Sequence, residues 1–397
     1  MCLAAAFLGM GLCALAQTSR PQGSHSAPKK AAVAGESSPS SVETGTADDS
    51  TASLPVVKIE FKDQPAIPGA AAFHVYAGPI LCSPDGIPFV DVINAPDFME
   101  HTVYSLGSKQ AIAFSAKAIP GLFDVSLMGY FVADSFVGFL VHATADSTLA
   151  ANKMTIIPGT PPRNIYKGKH LDYVVEFDRA GNYKKTLDLP TAYDFKRIGA
   201  LADDSLLAVA YDRVNAVARL LLLDSGGQII RPLEVPAQMA MDPGLKQGES
   251  GDEVKRMNAA SSLSWWLFAP VQQKTLLYQA HTKSPVLEVG AGGVAREVPL
   301  QAPKGYVLDG VISANDRWVM RYRKEGLSDY AAIDARPEAK NFVLYEVNPS
   351  DGSLKRQIEI QARKNPPFAI SCEQDGVFTS FSMDDERVIL QTAELPH

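Results

Sequence analysis

A pair of strand–turn–strand patterns recurs along residues 54–397, and this repetition constrains the fold more than any other feature of the chain. The first pattern is a short apolar run, then usually an Asp with a turn residue, and then a second apolar run. Asp followed by Gly or Ser between apolar runs is typical of a hairpin, because Gly and short polar side chains tolerate the backbone geometry of tight turns. The turns of this pattern lie at Asp85, Asp134, Asp204, Gln273, Asp316 and Asp375.

A second hairpin accompanies most copies of the first. Its turns are rich in Gly and polar residues, and they lie at 107–109, 179–182, 225–227, 290–293 and 348–352. Two hairpins per unit give four antiparallel strands, which is the content of one propeller blade. The six turn markers therefore predict an all-β chain, a six-bladed β-propeller of four-stranded antiparallel blades.

The last of these units has only three predicted strands before the sequence ends. An apolar stretch at residues 56–61 is available to supply the fourth strand. An N-terminal strand that completes the C-terminal blade would close the ring and remove an exposed sheet edge. Seven blades stay open as an alternative, since residues 71–77 are also apolar and are not assigned to a strand.

This predicted architecture resembles the six-bladed β-propellers of the TolB-like and NHL-like group over residues 54–397. The Ser-Pro-Asp-Gly sequence at residues 83–86 is similar to the turn common in TolB-like repeats. The chain lacks the Gly-His and Trp-Asp pair typical of WD40 repeats, and it lacks the Ser-x-Asp-x-Gly-x-x-Trp box of sialidases. The resemblance concerns the fold, and a propeller fold does not by itself imply an activity.

The first sixteen residues have the features of an export signal. Residues 3–15 form an uncharged apolar run that is shorter than the roughly 20 residues a membrane helix needs. Ala14 and Ala16 place small residues at the two positions that signal peptidase reads, which predicts cleavage before Gln17. We therefore expect a signal peptide at 1–16, export to the periplasm or the extracellular space, and no membrane span in the remainder.

Residues 17–53 differ sharply in composition from the rest of the chain. About two-thirds of them are Ser, Thr, Ala, Pro or Gly, and none is aromatic. Such a segment cannot bury enough apolar surface to offset the entropy lost on ordering. We predict a disordered linker at 17–53 that tethers a β-propeller domain at 54–397.

Three long connections indicate which face of the propeller binds a ligand. In a blade with strands a to d, the a–b and c–d turns lie on one face, and the b–c and d–a connections lie on the other. Segments 143–170, 237–258 and 324–340 all belong to the second face, and long loops on a rigid scaffold commonly carry function. Weak candidates for ligand binding are the basic and aromatic residues of these segments and a Trp on an innermost strand: Arg163, Tyr166, Lys169, Lys255, Arg256, Trp265 and Tyr330.

Charge and motif content narrow the class of function. The chain has 37 Lys and Arg against 44 Asp and Glu, and a net charge of −7 argues against binding to nucleic acid. It contains no Gly-x-Ser-x-Gly elbow, Walker loop, GxGxxG motif or zinc-ligand spacing. We predict a monomeric, non-enzymatic binding protein without a cofactor, whose partner is a protein or glycan of the cell envelope. The alternative is a propeller hydrolase or lactonase with a divalent cation such as calcium in the central channel, and it rests on analogy of fold.

The two cysteines that follow the signal occupy equivalent positions in the repeat. Cys82 and Cys372 each precede a turn Asp by three residues, in the first and last units, which are neighbours in a closed ring. A disulfide there would lock the closure in an oxidising compartment. However, an even six-fold ring separates neighbouring equivalents by roughly 7–9 Å, whereas bridged Cα atoms are about 4.4–6.8 Å apart. We therefore expect two buried reduced thiols, and the Cys82–Cys372 disulfide is the less favoured alternative.

Overall fold

The computed structural model confirms an all-β propeller. It describes residues 54–71, 75–83, 87–94, 100–105, 111–115, 119–150, 164–236, 239, 263, 266–271, 273–314, 317–327, 341–361, 369–383 and 387–396. The predicted signal peptide at 1–16 and linker at 17–53 lie outside these residues. The residues from Leu54 to His397 form one compact unit.

Six blades of four antiparallel strands make up this unit, as the turn markers predicted. Blade one comprises β3 (Val75–Cys82), β4 (Pro88–Asn94), β5 (Glu100–Ser105) and β6 (Ala111–Ser115). Blade two comprises β7 (Phe123–Val132), β8 (Phe136–Thr144), β9 (Leu171–Asp178) and β10 (Tyr183–Asp188). Blade three comprises β11 (Tyr193–Ala200), β12 (Leu206–Asp212), β13 (Val217–Leu223) and β14 (Ile229–Leu233).

The other three blades follow the same order, with the first strand of each blade innermost. Blade four comprises β15 (Trp266–Val271), β16 (Lys274–Gln279), β17 (Val286–Val289) and β18 (Ala295–Val298), with a 3-10 turn at Ala291–Gly293. Blade five comprises β19 (Tyr306–Ala314), β20 (Trp318–Lys324), β21 (Phe342–Val347) and β22 (Leu354–Ile360). Blade six comprises β23 (Ala369–Gln374), β24 (Val377–Met383), β25 (Arg387–Glu394) and β2 (Lys62–Ala71).

An N-terminal strand completes the last blade, but it is not the strand that we predicted. Strand β2 pairs antiparallel with β25 and supplies the fourth strand of blade six. The stretch at 56–61 instead contains β1 (Val56–Ile59), which adds to blade five by pairing parallel with β22. The apolar pattern there reflects real burial, because Ile59 and Phe61 are 1% exposed in the core between blades five and six. Residues 71–77 contain the end of β2 and the start of β3, and so they form no seventh blade.

The core lies between blades rather than at the centre of a sheet. Successive side chains of a strand point to opposite faces, so a strand in the middle of a blade packs against both neighbouring blades. In β12, Leu206 and Ala208 face blade two, whereas Leu207 and Val209 face blade four. All four side chains are completely buried. This two-sided burial explains why the apolar runs read as continuous rather than alternating.

Cys82 and Cys372 form a disulfide, so the prediction of two reduced thiols is wrong. Their Cα atoms are 5.5 Å apart, and the bond joins the innermost strands of blades one and six. The prediction assumed an evenly spaced ring. Instead, β23 also pairs directly with β19 of blade five, with Cys372 opposite Ser313. Because paired strands lie about 4.8 Å apart, the innermost strands are much closer here than an even six-fold ring allows.

A basic side chain on the fourth strand of four successive blades, blades two to five, links each of them to the next blade. We call the face that bears the a–b and c–d turns the turn face, and each of these links a turn-face clasp. In every clasp the basic side chain donates to a backbone carbonyl of the next blade. The acceptor lies in the c–d turn of that blade in three clasps, and it follows strand c (β25) of blade six in the fourth. The donor and acceptor pairs are Lys185 Nζ with Ser225 O (2.8 Å), Arg231 Nη2 with Gly293 O (3.0 Å), Arg296 Nη2 with Pro349 O (2.9 Å), and Arg356 Nη1 with Pro396 O (3.3 Å).

Three of these basic residues also pair with a buried Glu of their own blade. The partners lie directly opposite each other in the strand register: Lys185 with Glu176, Arg296 with Glu288, and Arg356 with Glu346. The Arg356 Nε to Glu346 Oε2 distance is 2.5 Å. Burial alone would raise the pKa of Glu346, but hydrogen bonds and charge from Lys355 and Arg356 lower it on balance. In blade three, Leu222 stands opposite Arg231, so the clasp forms there without the Glu.

We expect Arg356→Leu to destabilise the protein more than Glu346→Leu does. Removing Arg356 breaks the bond to Pro396 and leaves the buried Glu346 with only Lys355, which should lower the free energy of unfolding by about 3 kcal/mol. Glu346→Leu places Leu opposite Arg356, as Leu222 stands opposite Arg231 in blade three. This variant should lower the free energy of unfolding by about 1 kcal/mol. Urea unfolding of both variants measures the difference, and equal losses would contradict the role of the clasp.

Candidate ligand-binding face

The strand bounds place the ends of the three long connections at one face of the propeller, which we call the loop face. They run between β8 and β9, between β14 and β15, and between β20 and β21. The first and third are b–c connections, and the second is a d–a connection. In antiparallel blades these ends lie opposite the turn face.

The described residues include two of the seven predicted ligand-binding candidates. Tyr166 and Lys169 lie just before β9, at the base of the long connection in blade two. The other candidates lie outside the described residues: Arg163, Lys255, Arg256, Trp265 and Tyr330.

Tyr166 anchors the end of the long connection of blade two on the sheet. Its ring packs against Phe123 of β7 with a centroid distance of 5.2 Å, and its backbone forms an antiparallel bridge with Leu149. Lys167 N donates to Thr148 O at 2.9 Å, which continues this short ladder. Tyr166 therefore packs the described end of the connection onto the sheet, whereas Lys167 and Lys169 beside it are exposed to solvent.

Trp266 anchors Met239, a residue of the connection between blades three and four. The indole is completely buried, and its Nε1 donates to Met239 O at 2.6 Å. Met239 and Leu263, which lie within this connection, are also completely buried and join the same core cluster.

A charged cluster lies beneath the third connection, and sequence reasoning missed it. Asp309 sits at a bulge in β19, where its carboxylate accepts from Arg321 Nε at 2.5 Å. His281 Nε2, from the b–c connection of blade four, is 3.4 Å from the other carboxylate oxygen. Arg321 also lies over the ring of Phe342, where the third connection ends, with 5.7 Å to the centroid. No local motif marks this cluster, because its members come from three separate segments.

The electrostatics of this cluster keep Asp309 ionised. Burial by itself raises the pKa of the carboxyl group. The charge of Arg321 and the hydrogen bond and charge of His281, with a smaller contribution from Arg323, outweigh burial and lower the pKa to about 2. Asp309 is therefore a fixed negative charge that holds blades four and five together beneath the loop face.

Within the described ranges, no group of three or more His, Cys, Asp or Glu side chains is arranged to hold a metal ion. A search of the same residues finds no helix with the length and apolar character needed to cross a membrane.

Comparisons with known proteins add a likeness of fold. No protein-family model matches the chain, and no curated protein matches it either. Among solved structures, a Bacteroides caccae protein of unknown function is 10% identical with a TM-score of 0.36, over 74% of this chain and 81% of that one. Virginiamycin B lyase from Staphylococcus aureus is 10% identical with a TM-score of 0.34, over 84% and 99%. The Pan2 WD40 domain of Neurospora crassa is 8% identical with a TM-score of 0.38, over 85% and 94%.

We expect Asp309→Asn to lower the free energy of unfolding by about 2 kcal/mol at neutral pH. The pKa of Asp309 is lower in the folded state than in the unfolded state. Its contribution is therefore complete above about pH 4 and is lost as the pH falls toward about 2. The gap between wild type and variant in chemical denaturation should close over that range.

A matched control is Asp194→Asn, on the innermost strand β11 of blade three. Asp194 pairs with Lys196 at 2.9 Å, but its side chain is 32% exposed. Exposed ion pairs contribute about 0–1 kcal/mol, so this variant should remain close to wild type. A difference between wild type and Asp309→Asn that stays constant down to pH 2 would contradict the proposed ion pairing.

Proposed function

We propose that this chain is an exported β-propeller that binds a protein or glycan of the cell envelope through its loop face. The observation that supports this most directly is that the strand ends that bound all three long connections lie at that face. Each connection begins or ends at side chains packed on the propeller: Tyr166 on Phe123, Met239 under Trp266, and Phe342 against Arg321. A rigid scaffold carrying long loops is the arrangement that binding proteins commonly use.

Groups on the turn face hold neighbouring blades together. Its hairpins are short, and their carbonyls accept the turn-face clasps from the preceding blade. The Asp side chains of these hairpins are also engaged, since Asp178 and Asp224 each accept from backbone amides of their own turns. The carbonyls and the Asp side chains of the turn-face hairpins are therefore used in contacts within and between blades, which leaves the loop face as the candidate binding surface.

Two observations support export. Residues 1–16 have the pattern of a signal peptide. The Cys82–Cys372 disulfide is a bond that persists in oxidising compartments and is rare in the cytosol. The mature protein begins at Gln17 in this proposal, and residues 17–53 tether the propeller.

The test compares variants of the two faces in the exported protein, whose N-terminus should be Gln17. Replacing residues 151–163 by a short Gly-Ser linker should weaken binding to a panel of purified envelope proteins and immobilised glycans by about tenfold. Val294→Glu is the control on the turn face, because Val294 is 74% exposed. The proposal would be contradicted if linker variants of all three connections bound as wild type does while Val294→Glu lost binding.

A further inference from the structure

Three polar side chains lie in a row across blade two, on three adjacent strands. Ser126 of β7 stands directly opposite His142 of β8, and His142 stands directly opposite Asp172 of β9. Residues that are directly opposite each other project from the same face of a sheet, with Cβ atoms about 4.5–5.5 Å apart. The three side chains are therefore neighbours, and they lie near the loop-face ends of their strands.

Asp172 holds the imidazole of His142 in one tautomer. His142 Nδ1 is 2.7 Å from Asp172 Oδ1, and Asp172 Oδ2 accepts from Phe195 N of blade three at 2.9 Å. A carboxylate accepts, so His142 Nδ1 is the donor and the lone pair of the neutral ring lies on Nε2. Because the two nitrogens lie on different sides of the ring, Nε2 is directed away from β9. Strand β7, which carries Ser126, is the neighbour of β8 on that side.

A second His–Asp pair supports one face of this ring. The imidazole of His170 stacks on that of His142, with centroids 5.4 Å apart and an interplanar angle of 21°. His170 Nε2 is 3.0 Å from Asp124 Oδ2, and Asp124 lies in a bulge of β7 with a φ of 49°. Bulges redirect side chains, and this one brings Asp124 to His170. The ring of His142 is therefore held at its edge by Asp172 and on one face by His170.

Solvent reaches the hydroxyl and the imidazole of this row, whereas the carboxylate is buried. The side chain of His142 is 38% exposed, and that of Asp172 is 6% exposed. Ser126, Met128 and Gly129 of the innermost strand β7 are all exposed, and no atom lies within 4 Å of the position that a Cβ on Gly129 would take. There is therefore open space beside Ser126 for a substrate.

We propose that Ser126, His142 and Asp172 form a Ser-His-Asp triad that hydrolyses carboxylic esters. Such triads occur on unrelated folds and in different chain orders, so they are recognised by the geometry and roles of their members. Ser126 and His142 are the catalytic residues, and Asp172 is a positioning residue that acts through His142. This activity goes beyond the binding that we propose for the loop face.

The reaction proceeds in two steps. Rotation of the Ser126 side chain brings Oγ to His142 Nε2, which takes the hydroxyl proton as Oγ bonds to the carbonyl carbon of the ester. The bond from this carbon to the alcohol oxygen breaks, and the alcohol leaves with the proton from Nε2. Water then attacks the acyl group on Ser126 by the same route, which releases the carboxylic acid and restores the Ser hydroxyl.

The test uses a fluorophosphonate probe, which phosphonylates an activated Ser hydroxyl and releases fluoride. The native protein, residues 17–397, should be labelled at Ser126, as located by peptide mass spectrometry, and heat-unfolded protein should not be labelled. Ser126→Ala should abolish labelling, and His142→Gln should slow it at least about a hundredfold. Ser135→Ala is the matched control, since Ser135 is an exposed Ser at the turn face of the same blade, and it should react as wild type does.

Asp172→Asn tests the positioning role. It should slow labelling at least about a hundredfold and remove a downfield imidazole N–H proton resonance that Ser126→Ala retains and His142→Gln also removes. Circular dichroism verifies that each variant folds, and His142→Asn replaces His142→Gln if the latter does not.

The proposal is wrong if native wild type is labelled no faster than unfolded protein, if the labelled residue is not Ser126, or if the His142 variant reacts as fast as wild type. The probe requires no partner, so a failure of labelling does not bear on binding through the loop face.

Discussion

Closure of the ring is the constraint on which the rest of this structure depends. Each blade buries both of its faces against neighbours, so an open ring would expose the apolar sides of blades one and six. A strand pairing and a disulfide close the ring. Strand β2 completes blade six before the chain enters blade one, and the Cys82–Cys372 disulfide joins the innermost strands of the same two blades. The β2–β25 pairing lies at the outer edge of the ring, and the disulfide lies at its centre.

The turn-face clasps extend the same principle around the ring. A basic residue on the fourth strand contacts the next blade in blades two to five, so four of the six blade interfaces have polar contacts at their rim in addition to their buried core. These contacts lie at the turn face, and the strand ends that bound the long connections lie at the opposite face. The division between a face that holds the ring together and a face that varies is the physical basis of the proposed binding function.

Periodicity predicted the six blades because every blade repeats the same turn chemistry at a similar spacing. It missed β2 because Pro65 and Pro68 interrupt that segment, and Pro is unfavourable in strands except at edges and bulges. The outermost position in blade six is such an edge. The disulfide was disfavoured because a sequence does not reveal that β19 and β23 pair directly. The clasps depend on strand register and the Asp309 cluster depends on a bulge in β19, and no local sequence pattern encodes either.

The closure can be tested most directly by peptide mapping of the mature protein without reduction. After proteolysis with thiols blocked, mass spectrometry should detect one cross-linked species that contains Cys82 and Cys372, and it should disappear on reduction. The account predicts this species at close to full occupancy and no blocked cysteine. Recovery of both cysteines as blocked free thiols from protein purified without reductant would contradict a ring closed by a covalent bond between its first and last blades.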